Sequence, residues 1–330
     1  LKIKKVTITD IAEVMGLSPV SVSRALSDQS GISDELKQKI VQKAAEMGYV
    51  KPKKRKSPRI LVLHQKPYRE DNSNFSHMMQ GIEQALQKED ADYSIEFLDK
   101  ETQNRMILPY RLSKGFVFDG VILIGRFNLD YAALINERIR NLIFLTGYSP
   151  AYDYDSVWFS FINTGYKQCK YLIDRGHTRI GFIGDRKAYR NKVKESGIVS
   201  ALEENGLPVD ETLFFDTDED GSAKLRKLIE GKQLPTAFIC DHDFTAIELI
   251  RTLQQHDMKV PDDVSILGSG NTEVSALSLP PLTTMDLNIG YSCRVVVSTL
   301  LKRLVEPDKP AENIAILSTL VERESVRRRI

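Results

Sequence analysis

From Ile60 onward, short apolar runs alternate with longer amphipathic stretches, and this alternation constrains the fold more than any other feature of the chain. Strand-like runs fall at 60–63, 93–98, 120–124, 142–145, 180–183, 237–240 and 264–267. Helical periodicity occupies roughly 75–89, 104–114, 129–139, 163–175, 193–205, 222–230, 243–256 and 290–304. Strands that are apolar on both faces need covering on both sides, and an intervening helix returns the chain to a parallel neighbour. The region therefore predicts parallel sheets covered by helices, arranged as one barrel or as two doubly wound lobes. No apolar run approaches the roughly 18 residues of a membrane span, so no membrane partner is expected.

Before residue 60 the pattern is purely helical. Thr7-Ile8-Thr9-Asp10 has the spacing of a capping box, in which the hydroxyl accepts from an amide and the carboxylate reaches back. Ile11, Ala12, Val14 and Met15 supply an apolar face, and Gly16 ends the helix. Leu17 alone precedes Ser18-Pro19, an N-cap followed by proline at the first helical position. The second helix carries Val20, Val22, Ala25 and Leu26. A third starts at Ser33 with Asp34 and Glu35 in its first turn. Leu36, Ile40, Val41, Ala44 and Ala45 form its expected buried stripe, and Gly48 stops it. Residues 51–59 hold six cations, two prolines and no apolar residue, which marks a linker. The expected domains are 1–50, the linker 51–59, and a body at 60–330.

The formal charge of +1 conceals an asymmetry. Residues 1–59 carry 13 Lys/Arg against 6 Asp/Glu, and the remainder carries 33 against 39. A basic end on an acidic body is the footprint of a small nucleic-acid-binding module. Two short helices, a tight glycine turn and a supporting third helix describe a helix-turn-helix. The second helix presents Pro19, Val20, Ser21, Ser23 and Arg24, and small side chains let such a helix sit deep in the major groove. Val20 suits a thymine methyl, Arg24 the O6 and N7 of guanine, and Ser18, Ser21 and Ser23 phosphates or bases.

Other functions find little support. Cys169, Cys240 and Cys293 lie far apart without a C-x-x-C, so neither a disulfide framework nor a zinc site is expected. Cys240-Asp241-His242-Asp243 reads as a polar cleft rim rather than a metal site. Gly268-Ser269-Gly270 lacks the third glycine of a dinucleotide fingerprint. No P-loop, G-x-S-x-G or H-E-x-x-H occurs, and His64 and His177 read as structural. No enzyme activity, metal or cofactor is expected. The N-terminus has no signal-peptide core, which predicts a cytoplasmic protein. The body alone would read as a solute-binding protein, and the basic helical module argues against that alternative.

Several motifs together resemble one family. Val6 through Ala12, Gly16-Leu17-Ser18 and Val22-Ser23-Arg24-Ala25-Leu26-Ser27 look like the headpiece of the LacI family of bacterial repressors. The likeness continues through Ile32-Ser33 and Gly48-Tyr49. It extends over the body at Tyr171 to His177, Val260 to Ser265, Pro281 to Thr284 and Leu320 to Val326. The resemblance implies an all-α helix-turn-helix headpiece followed by an α/β body of two doubly wound parallel-sheet lobes, similar to periplasmic sugar-binding proteins. The upper lobe is expected at about 60–160 plus 290–318, and the lower at about 161–289 plus 319–330. It further implies a small effector, sugar-like in class, between the lobes, and a homodimer on double-stranded operator DNA. The chain ends four residues after Val326, so a dimer is expected rather than a tetramer built on a leucine-heptad tail.

By the same resemblance, Thr7 matches the phosphate-contacting cap of the first helix. Pro19, Val20 and Ser21 match base-reading positions, and Ser23-Arg24 the end of the recognition helix. For the effector, Asn74, Phe75, Trp158, Arg190, Lys194, Asp243 and Asn271 are the candidates, with Phe75, Arg190, Lys194, Asp243 and Asn271 expected to line one cleft. Most follow parallel strands, where ligands of open α/β sheets bind. The chain also departs from the family. Lys194 stands where the family has an arginine, Gly270 where it has an aspartate, and Phe159-Ser160 where it has Asp-Asn. Tyr49 reaches Ile60 through ten residues without the leucine that wedges into the minor groove. Lys53, Lys54, Arg55 and Lys56 are therefore assigned an electrostatic role on DNA.

Overall fold

The computed structural model describes residues 6–26, 33–47, 49, 57–66, 72–147 and 153–329. The chain divides into two compact units, Leu1–Ser57 and Pro58–Ile330.

The first unit holds three helices, α1 (Ile8–Met15), α2 (Pro19–Leu26) and α3 (Asp34–Glu46). Both sides of the expected capping box form: Asp10 N donates to Thr7 Oγ1 at 3.3 Å, and Thr7 N donates to Asp10 Oδ2 at 2.7 Å. Gly16 ends α1 at φ +64°, a conformation that suits a residue without a Cβ. Ser33 caps α3 by accepting from Leu36 N. Ile11, Ala12, Val22, Ala25, Ile40 and Ala44 are the core, with Met15, Leu17, Leu26, Leu36 and Met47 packed round it. Two expectations need correcting. Val14 is 58% exposed, and Val41 and Ala45 are exposed as well. The buried stripe of α3 follows the i, i+4 steps Leu36, Ile40 and Ala44, narrower than expected because short partner helices cover only one ridge. Gly48 and residues 51–56, including Lys53, Lys54, Arg55 and Lys56, lie outside the described residues.

The second unit is two lobes rather than a barrel. Its first half runs β1 (Arg59–Gln65), α4 (Asn72–Lys88), β2 (Asp92–Leu98), α5 (Lys100–Asn104), α6 (Tyr110–Ser113), β3 (Gly120–Ile124), α7 (Leu129–Arg138), β4 (Leu142–Leu145) and β5 (Asp155–Phe159). The chain then forms α8 (Phe161–Ile173), β6 (Ile180–Ile183), α9 (Tyr189–Glu204), β7 (Phe214–Phe215), α10 (Glu219–Glu230), β8 (Ala237–Cys240), α11 (Asp243–Gln254), β9 (Ser265–Leu267) and α12 (Glu273–Leu277). It finishes with β10 (Thr284–Asp286), α13 (Ile289–Val305), β11 (Asn313–Ile316) and β12 (Thr319–Val321). One parallel sheet has the order β11-β5-β4-β3-β1-β2, and the other β7-β6-β8-β9. An antiparallel pair, β10 with β12, completes the set.

Each sheet is buried on both faces. In the first lobe Ile60, Val62, Ile122 and Ile143 meet α4 and α13, whereas Leu61, Val121 and Phe144 meet Tyr131 and Ile135 of α7. In the second lobe α8 and α9 cross at two glycines: a Cβ on Gly197 would stand 2.0 Å from Ile162 O, and one on Gly165 2.1 Å from Lys194 O. Three segments connect the lobes, after β5, β10 and β11. Thr164 Oγ1 donates to Ser160 O at 3.0 Å and shares a 2.9 Å bond with Ser318 Oγ. Asn288 Nδ2 donates to Leu317 O and Thr319 Oγ1, so the three connections are tied together.

Strand β5 escaped the sequence reading because it begins at a charge. Asp155 is 1% exposed and accepts from Arg303 Nε and Nη2, both at 2.9 Å, from Lys309 Nζ at 2.7 Å and from Glu312 N at 2.8 Å. Burial disfavours its charged form, yet these donors outweigh it and hold the carboxyl below its usual range. The helix expected over 104–114 is two short pieces, α5 and α6, separated by Pro109. The Arg327-Arg328-Arg329 tail is partly docked: Arg327 reaches Asp262, and Arg329 N donates to Arg175 O.

Candidate functional site

In the helical unit, α2 turns one face inward and one outward. Val22 and Ala25 are buried. Arg24 stands about 200° round the helix from Val22 and is exposed. Pro19 is exposed, and Ser21 and Ser23 are half-buried. The Val20 side chain lies outside the described residues. Ser18 Oγ accepts from Ser21 N at 3.1 Å and shares a 2.8 Å bond with Ser21 Oγ, which fixes the start of the helix. Hydroxyls of Ser18 and Ser21 at the helix start and a guanidinium on its outer face are the chemistry that meets phosphates and a guanine edge.

In the two-lobe unit the effector candidates take different places. Asn74 and Phe75 begin α4, as expected for residues after the first strand. The Phe75 ring packs edge-on against His64 at 4.8 Å and lies 5.9 Å from Phe97. Asn74 Oδ1 is buried with no hydrogen-bond partner among the described residues, and a Cβ on Gly270 of the other lobe would lie 3.7 Å from it. The lobes therefore approach each other at Asn74 and Gly270.

Asp243 and Lys194 turn out to be internal braces. Asp243 is 1% exposed; its carboxylate accepts from Thr272 N and Thr272 Oγ1, both at 2.8 Å, and from Thr284 Oγ1. Lys194 is 1% exposed and donates its ammonium to Asp241 O at 2.8 Å. Burial lowers its pKa to about 8 against the pull of Asp241. These residues were expected to line a cleft, but their polar atoms are directed at the protein. Arg190 lies in the first turn of α9 rather than in a loop, because the helix begins at Tyr189. Asn271 adopts φ +50°, with its Nδ2 on Asp286 Oδ2 at 3.0 Å and its Oδ1 receiving Arg323 Nη2 at 2.8 Å. Trp158 stays apart from this group: its indole donates to Asn313 Oδ1 on the edge strand β11 at 2.5 Å.

The structure adds Thr272, Thr284 and Arg126, which the sequence did not single out, and gives bonding partners to Asp241, which the sequence placed only on a polar rim. Thr272, Thr284 and Asp241 position the loops after β8 and β9. Asp241 is itself held by Asn191 Nδ2 at 2.9 Å and by Thr245 Oγ1 at 2.8 Å. Arg126, just past β3, lies 4.9 Å from the Tyr189 ring centre at the start of α9, a cation–π contact between the lobes. Nothing in the local sequence pairs residues that far apart.

Comparison with known proteins agrees with this division. The profile of bacterial regulatory proteins of the lacI family matches residues 7–51, and that of the periplasmic binding protein-like domain matches 169–326. The HTH-type transcriptional regulator DegA of Bacillus subtilis is 30% identical over 298 residues, spanning 85% of this chain and 86% of that protein. The ribose operon repressor of Haemophilus influenzae is 26% identical, across 97% of this chain and 98% of that one. Among solved structures, the lac repressor dimer bound to operator and the anti-inducer ONPF matches with a TM-score of 0.69 at 20% identity, over 98% of this chain and 100% of that one. A complex of the transcriptional regulator CelR with cellobiose matches at 0.68 and 20%, covering 97% and 100%. The chain belongs to the LacI family of bacterial transcriptional regulators. It is a DNA-binding, ligand-responsive transcriptional regulator. No helix among the described residues is long and apolar enough to cross a membrane.

Proposed function

We propose that the chain is a cytoplasmic, homodimeric repressor whose hold on a near-palindromic operator is set by a carbohydrate bound between the two lobes. The observation that carries this reading is the outward face of α2, where exposed Pro19 and Arg24 flank the half-buried Ser21 and Ser23 beside a well-capped turn. On this reading Thr7, Ser18, Pro19, Val20, Ser21, Ser23 and Arg24 contact DNA, and Lys53, Lys54, Arg55 and Lys56 add phosphate contacts without a wedge. The effector occupies the space at the strand ends, near Asn74, Phe75 and Arg190. Lys194, Asp243 and Asn271 support it indirectly by fixing the loops. Relatives named for the ribose operon and for a cellobiose complex favour a sugar effector.

The test is a thermal-shift screen of the full chain against free and phosphorylated sugars, followed by operator binding with each hit. A ligand bound only by the folded state raises the melting temperature in proportion to the logarithm of its concentration. The reading requires at least one sugar that raises the melting temperature and also changes operator affinity. A sugar that stabilises the protein without altering DNA binding would make the body a solute receptor instead.

A further inference from the structure

Arg126 and Tyr189 belong to different lobes, and each stands on backbone with little freedom of its own. Arg126 leaves β3 between two pinned residues. Gly125 N donates to Leu145 O at 3.1 Å, and a Cβ on Gly125 would lie 3.1 Å from Gln65 Cβ. Phe127 is buried and stacks on Tyr131 with ring centres 6.3 Å apart. Asn128 N then donates to Gln103 Oε1 at 3.1 Å. The exposed Arg126 side chain is what this fixed loop projects.

Tyr189 is placed as firmly. Ala188 N donates to Asp185 O at 3.1 Å, which closes the turn before α9. Asn191, buried in the first turn of the helix, donates Nδ2 to Asp185 O at 3.0 Å and to Asp241 Oδ2 at 2.9 Å. These bonds fix the start of α9 and with it the half-exposed Tyr189 ring.

The Arg126 guanidinium carbon stands 4.9 Å from the centre of that ring. Arg126 makes no hydrogen bond or ion pair with any described residue, so the ring is the group that receives its charge. At an exposed site such a pair shifts an equilibrium about two- to five-fold.

Its position makes the contact sensitive to lobe rotation. The connections after β5 and β11 leave the six-stranded sheet at one edge, where the order is β11-β5-β4-β3. Strand β3 stands two strands in from β5, a lever arm of about 10 Å. A rotation of about 15° round those connections parts the two groups by roughly 3 Å, beyond the ~6 Å reach of the interaction.

We propose that Arg126 and Tyr189 form a latch that holds the two lobes in this orientation in the absence of any ligand. The latch consists of the chain's own side chains, and it sets the ratio of latched to unlatched molecules before anything binds.

The test measures the distance between spin labels at Glu137→Cys on α7 and Glu203→Cys on α9 by double electron–electron resonance, using the full chain without ligand. Both positions are exposed, and the native cysteines are buried. Labelled chain is diluted into unlabelled chain, so that only distances within one chain are recorded. Arg126→Gln and Tyr189→Leu should each raise the share of a second distance about two- to five-fold over wild type. The double variant should match either single one, because each removes the same contact. Tyr189→Phe keeps the ring and should match wild type, and urea midpoints should agree throughout. Unchanged distances in Arg126→Gln, additive effects in the double variant, or a Tyr189→Phe profile like that of Tyr189→Leu would overturn the latch. On the reading proposed above, that lobe orientation governs operator hold, the same variants also change the operator affinity of the ligand-free chain. Altered distances with unaltered affinity would uphold the latch and fault that reading.

Discussion

Lys194→Met tests whether a residue expected to hold the effector is instead a buried brace. In the folded chain the Lys194 ammonium is 1% exposed, and its pKa falls from 10.5 to about 8. Burial is the main cause, opposed by Asp241 and reinforced by Arg190. The sign follows from proton counting. Between pH 8 and 10.5 the unfolded chain keeps this proton and the folded chain has released it, so stability rises with pH. The gain reaches about 2.5 kcal/mol by pH 10, since each unit of difference is worth about 1.4 kcal/mol. Below pH 8 both states are protonated and the contribution is flat. Methionine keeps the shape and removes the titration. Urea unfolding of both proteins followed by circular dichroism, at half-unit steps from pH 7 to 10, isolates the difference, because tyrosine and cysteine ionisation is common to both. Wild type should gain on the variant by about 2.5 kcal/mol across that range. Parallel curves would mean that the ammonium is hydrated, and the buried-brace reasoning would fail.

Four further outcomes are expected. Arg24→Ala should cost on the order of 1–3 kcal/mol on specific operator and much less on random DNA, as measured by fluorescence anisotropy; equal losses would make Arg24 a phosphate contact. Asp155→Asn should destabilise the body by about 3–5 kcal/mol by stranding Arg303 and Lys309, and wild type should lose that contribution as pH falls through the lowered Asp155 pKa; an unchanged urea midpoint would contradict the bonding described. Gly197→Ala should cost about 1–3 kcal/mol or more, because its methyl meets Ile162 O at 2.0 Å and helix backbones yield poorly; wild-type melting would refute the close crossing. Replacing Lys53, Lys54, Arg55 and Lys56 with glutamine should weaken specific and random DNA alike and flatten the salt dependence, whereas an unchanged slope would make the segment a plain connector.

Local signals in this chain are legible, and distant pairings are not. The Thr7–Asp10 box, the Gly16 stop and the Ser33 cap are encoded within four residues, and each forms as read. The apolar strands are legible because burial on both faces leaves continuous runs of Ile, Leu and Val. Strand β5 is not, because its first residue is an aspartate stabilised by Arg303 and Lys309, about 150 positions away in sequence. The candidate site shows the same limit. Position in the family pattern locates Asn74, Lys194 and Asp243, but whether a polar group faces a ligand or the protein depends on partners such as Asp241, Thr272 and Thr284. Those partners come from other strands, and no spacing rule brings them together. Val14 and Val41 mark a smaller limit: apolar character at helical spacing does not say how wide a face the neighbouring helices cover.

The most direct test of the account is one anisotropy titration of the full chain. Its operator, selected from a random duplex library, is compared with a scrambled duplex at salt concentrations from 50 to 200 mM. Binding to the selected duplex should be at least about 10³-fold tighter than to the scrambled one, with both weakening steeply as salt rises. A sugar that stabilises the body should shift the first curve far more than the second. Equal affinity for the two duplexes at every salt concentration would contradict the central claim that this is a sequence-specific regulator.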